Sequence, residues 1–87
     1  MVITKGKIIE LRDNLIIFAA MSNGLEQQIP SAGIPCYTLK EQDTISIVEG
    51  THNQILAIEI NDCHAFSFDG LKFIEMPSYC EQVRIAR

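Results

Sequence analysis

The chain has 87 residues, 47% of them hydrophobic, and a formal net charge of −4. That length makes one small domain near the lower limit of what an unaided apolar core stabilises, and no apolar run approaches the ~18–20 residues that span a bilayer. Between residues 41 and 81 only Lys72 offsets eight acids (Glu41, Asp43, Glu49, Glu59, Asp62, Asp69, Glu75 and Glu81), which disfavours a broad nucleic-acid surface built from many bases.

Isoleucine outnumbers leucine and valine combined, and β-branched side chains fit a pleated sheet better than a helix. The first apolar stretch is broken by Lys5, Gly6 and Lys7, so it does not read as a secretory leader, and a cytoplasmic setting is expected. GKIIEL is followed by the turn pair Asp13–Asn14 and then by LIIFAAM, an unbroken apolar run that suggests a strand covered on both faces. On that ground residues 14–21 are expected in the middle of the sheet. Asn23 and Gly24 make the next turn, since both tolerate the positive φ of tight hairpins.

Residues 27–39, QQIPSAGIPCYTL, hold two prolines that cannot donate to a central ladder. They predict an irregular connection or an edge, with a short strand at Cys36 to Leu39. TISIVE and QILAIEI flank a turn at Gly50 to Asn53, and AFSF and LKFIE flank Asp69–Gly70. In QILAIEI, alternation puts Leu56, Ile58 and Ile60 on one face and Ile55, Ala57 and Glu59 on the other. The tail SYCEQVRIAR reads two ways: Ser78 with Glu81 after Pro77 matches a helical capping box, and its alternation matches a last strand. The fold expected is all-β, a single domain over residues 1–87. Its antiparallel meander closes into an OB-like or SH3-like barrel or rolled sheet, with a short C-terminal helix as the one alternative element.

The order GKIIELRDNLIIFAAMSNGLEQQIP, a proline-containing connection, then LKEQDTISIVEGTHNQILAIEI resembles S1-type OB-fold domains over residues 5–60. That resemblance implies a small barrel with a nucleic-acid face. Two departures weigh against the function: Phe18 is the single aromatic on the first three strands, and the family's glycine-aspartate step is Gln42–Asp43 here.

The chemistry-bearing residues are sparse. Cys36, Cys63 and Cys80 form an odd, widely spaced set expected to be reduced thiols. With His52 and His64 they offer no paired spacing for zinc, so no metal or cofactor is expected. Cys63 and His64 are adjacent, which on one strand would send their side chains to opposite faces and prevent a catalytic dyad. His52 reads as a turn residue, Glu41 and Asp43 as solvated carboxylates, and a small enzyme built on Cys36, His52 or His64 is the weakest of three classes. The leading expectation is a non-catalytic module that binds another protein or itself, through Ile29, Ile34, Tyr37, Ile74 and Met76. The alternative is a nucleic-acid module using Lys5, Lys7, Arg12, Arg84 and Arg87, with Phe18 or Tyr37 stacking on bases.

Overall fold

A computed structural model describes residues 2–76 as one antiparallel sheet of seven strands in the order β3-β2-β1-β4-β5-β6-β7. The strands are β1 (Val2–Arg12), β2 (Leu15–Ala20), β3 (Glu26–Pro30), β4 (Thr44–Glu49), β5 (Ile55–Ile60), β6 (His64–Phe68) and β7 (Phe73–Met76). The fold is all-β, and the sheet is rolled rather than closed by a ladder between β3 and β7. The two readings of the tail, helix or strand, fall outside the described residues.

β1 is long because two sets of neighbours share it. Its N-terminal half, Val2 to Lys7, pairs with β4, while Gly6 to Arg12 pairs with β2. Within the β2-paired half the register slips: Ile8 faces Phe18, but Glu10 faces Ile17, leaving Ile9 as an extra residue. Such a bulge bends a strand and strengthens its twist, which lets one sheet fold over on itself. Gly6 marks the tightest approach, since a Cβ there would lie 2.6 Å from the Ala19 carbonyl oxygen and 2.7 Å from the Phe18 ring.

The inner face follows from the register. Ile8, Ile16, Phe18, Ile29, Ile45, Ile47, Ile58, Ile60, Phe66 and Phe73 form one buried cluster, joined by Ile34 and Leu39 from the loop after β3. Each such side chain contributes about 1.5–3 kcal/mol by leaving water. Phe68 also stacks on Phe73, ring centroids 4.7 Å apart.

A second bulge corrects the parity reading of β5. The register shifts between Val48 and Glu49, so Glu49 faces Ile55 and Leu56 is the supernumerary residue. Ile55 therefore packs on the core and Leu56 is turned outward. Strict alternation assigns the opposite, because it has no way to count an inserted residue. The expected middle strand also moves: β2 is paired on both sides but lies next to the end strand β3.

The connection after β3 contains a single 3₁₀ turn, Cys36–Thr38, where a short strand was expected. Thr38 favours the turn by donating both its amide and its hydroxyl to the Pro35 carbonyl, at 3.0 and 2.7 Å. This loop also draws the two ends of the sheet together. The Phe73 amide donates to the Ala32 carbonyl at 2.7 Å, and Gly33, at φ +91°, lies so close that a Cβ would overlap the Phe73 carbonyl oxygen. A glycine is required there on both counts.

Candidate functional site

Among the described residues, His52 lies on the β4–β5 turn and Cys63 and His64 lie at the other end of β5. Cys63 belongs to the β5–β6 turn, where Asn61 and Asp62 both take positive φ, and it is disulfide-bonded. The expectation of reduced thiols therefore fails at Cys63, because separation along a chain does not measure separation in a rolled sheet. A disulfide sulfur offers no thiolate. His52 is exposed on the β4–β5 turn at φ 60°. Among the described residues no group of three His, Cys, Asp or Glu side chains could hold a metal ion.

His64 opens β6 opposite Ile60, so it points to the inner face at its rim. Its Nδ1 is buried without a hydrogen-bond partner, and the Glu75 carboxylate stands 3.9 Å away, too far for a hydrogen bond. Glu75 faces Phe66 across the ladder and thus shares that inner rim. The Asp69 carboxylate is firmly held: its Oδ1 accepts from the amides of Leu71 and Lys72, each at 2.8 Å. Those bonds, Lys72 first and Leu71 next, hold its pKa below the ordinary 3.8, and the result is a closed hairpin turn.

The expected nucleic-acid residues are dispersed. Lys5 and Lys7 are exposed on β1, and Arg12 is paired with Glu10 at 3.1 Å. Phe18 is fully buried in the core, so it cannot stack on a base. Tyr37 is 77% exposed on the 3₁₀ turn, while Arg84 and Arg87 fall outside the described residues.

Among the expected protein-binding residues, Ile29 and Ile34 are buried. Ile29 faces Ile16 across the β2–β3 ladder, and the turn from Ser31 tucks Ile34 beneath the sheet. Both are core residues, a correction to their expected place on a contact surface. Tyr37, Ile74 and Met76 are exposed.

The register reveals a surface that alternation alone left unresolved. Opposed residues in a ladder point to the same face, and the pairs Ile3↔Val48, Val48↔Ala57, Ala57↔Ser67 and Ser67↔Ile74 run in line across five strands. Lys5, Ser46, Glu59, Ala65 and Met76 make the parallel row beside it. The outer face of β4–β7 thus carries the small Ala57, Ala65 and Ser67 beside Val48 and Glu59, with Ile3 and Lys5 at one end and Ile74 and Met76 at the other. At the β1 end, Val2, Ile3, Met21 and Leu25 are all exposed. A recess of about 530 Å³ there is lined by Val2, Ile3, Thr4, Lys5, Met21 and Ser22.

No family model, no curated protein and no solved structure matches this chain, so nothing outside it identifies an S1-type domain.

Proposed function

We propose that this protein is a non-catalytic interaction module whose main partner is a second copy of itself. The observation that carries the reading is the row Ile3, Val48, Ala57, Ser67, Ile74, whose aliphatic ends lie on the outside of the sheet. A domain of this size fills its interior with the inward set. Further large apolar side chains in line on the opposite face serve contact with another surface. Ala57, Ala65 and Ser67 leave room for a partner's side chains, and the exposed Lys5 and Glu59 supply a polar margin of both signs.

Nucleic-acid binding is the weaker reading, because Phe18 is buried and the exposed bases of the described residues are few against an acidic body. Sedimentation equilibrium of the full chain at several concentrations tests the proposal. The expected result is a mass that rises with concentration toward twice the monomer, with no retention on immobilised oligonucleotide at low salt. A strict monomer at all concentrations, or salt-sensitive oligonucleotide retention, would overturn it.

A further inference from the structure

The main chain of β1 has an unpaired stretch, and its geometry can be read from neighbouring hydrogen bonds. The Ile8 amide donates to Asp43 and the Ile8 carbonyl accepts from Gln42, at 2.9 and 2.7 Å, so both Ile8 groups face the β4 side. Successive residues of a strand alternate in this respect. Gly6, Thr4 and Val2 therefore face β4 as well, and Lys7, Lys5 and Ile3 face the β2 side. The Met21 amide donates to the Lys5 carbonyl at 2.8 Å, in agreement with that assignment.

Pairing on the β2 side ends at that bond. β2 stops at Ala20, opposite Gly6, and the chain turns away through Met21 to Gly24. Beyond it, the amide and carbonyl of Ile3 face the recess, and among the described residues nothing bonds them. What fits such a gap is extended backbone, which alone offers a donor and an acceptor at ladder spacing.

Resting on the self-association proposed above, we infer that the gap is filled by the same segment of a second copy, with Ile3 paired to Ile3 across a two-fold axis. An isologous contact needs a patch complementary to itself. Antiparallel pairing centred on Ile3 exchanges both of its free main-chain groups and sets Val2 against Thr4, so no charged residue opposes its own kind. This uncharged stretch is where two copies of an acidic chain approach at least electrostatic cost. The other edges of a second copy fit less well. β3 ends in Pro30, which has no amide to give, and carries the exposed Glu26, while the Phe73 amide on β7 is already bonded to Ala32. Centred this way, the two sheets join through β1, and the outer aliphatic row continues from Ile3 of one protomer into Ile3 of its partner.

Hydrogen exchange and Ile3→Pro test the inference on the full chain. The Ile3 amide bonds nothing among the described residues of one protomer, so its removal by proline spares the ladder to β4. As the protein is concentrated, exchange at the Ile3 amide is expected to slow at least about tenfold, and Ile3→Pro to weaken dimerisation by about tenfold or more. A dimer whose Ile3 amide exchanges at the same rate at every concentration would overturn the edge pairing while leaving self-association intact. A strict monomer overturns both readings. Protection of the Ile3 amide that arises only when a different protein is added would assign the gap to a foreign strand, and the second-copy inference would fall. The exchange measurement uses the unaltered chain, so the test stands even if Ile3→Pro does not fold.

Discussion

The end strands of the sheet and its inner strand β1 treat their free edges in opposite ways. β3 and β7, the two end strands, are guarded: β3 by Glu26 and Pro30, β7 by the bond from Phe73 to Ala32 and by Gly33 lying across it. β1 is paired on both sides over its centre, yet beyond the end of β2 it exposes an apolar edge with Val2 and Ile3. On the self-association proposed above, position in the strand order does not decide where this sheet recruits a partner. What decides it is whether charge, proline or a covering loop blunts the unpaired main chain.

The sharpest way to break this contrast is to remove a guard. Gly33→Ala puts a Cβ onto the Phe73 carbonyl at a backbone angle that alanine resists. The expected loss is about 3 kcal/mol or more in urea unfolding, together with faster exchange of the Phe73 amide as the sheet ends separate. A smaller effect on stability, within about 1 kcal/mol, is expected for Pro30→Thr. That variant restores an amide to the β3 edge, so light scattering should show new concentration-dependent assembly even in an Ile3→Pro background. If β3 stays inert with threonine at position 30, proline is not its guard and the contrast loses its explanation.

The least effect is expected at the β6–β7 turn, and it depends on pH. The Asp69 pKa is lower in the folded state than its ordinary 3.8. Its contribution is therefore present above the unfolded value and lost as pH falls through the folded one. Between about pH 5 and pH 2 the wild type should lose more stability than Asp69→Asn in urea titrations. Parallel curves for the two proteins would show that the turn does not depend on the carboxylate charge.

Much of the fold was legible because hairpins are local. Asp13–Asn14, Asn23–Gly24, Gly50–Asn53 and Asp69–Gly70 are all turns, with positive φ at Asn14, Gly24, His52, Asn53 and Gly70. The turn at Asn61–Asp62 carries the same kind of signal, with positive φ at both residues. What sequence could not supply is register. A single extra residue at Ile9 or Leu56 reverses the face of everything beyond it, and no residue type marks a bulge. The contact surface suffered for the same reason. Ile29 and Ile34 look available in a proline-rich loop, and only the topology shows one of them on a strand and both beneath it. Gln42 takes φ 76°, a left-handed turn conformation that its residue type does not announce.

The sharing of β1 between two sets of neighbours also shapes how the chain is made. A ribosome delivers β1, β2 and β3 well before residues 42–49, and these three can form their ladders at once. Until β4 emerges, the opposite flank of β1 and the apolar side of Ile8, Ile16, Phe18 and Ile29 stay uncovered on the nascent polypeptide. Translation speed across residues 31–43 thus sets how long that half-built meander is exposed to other nascent chains.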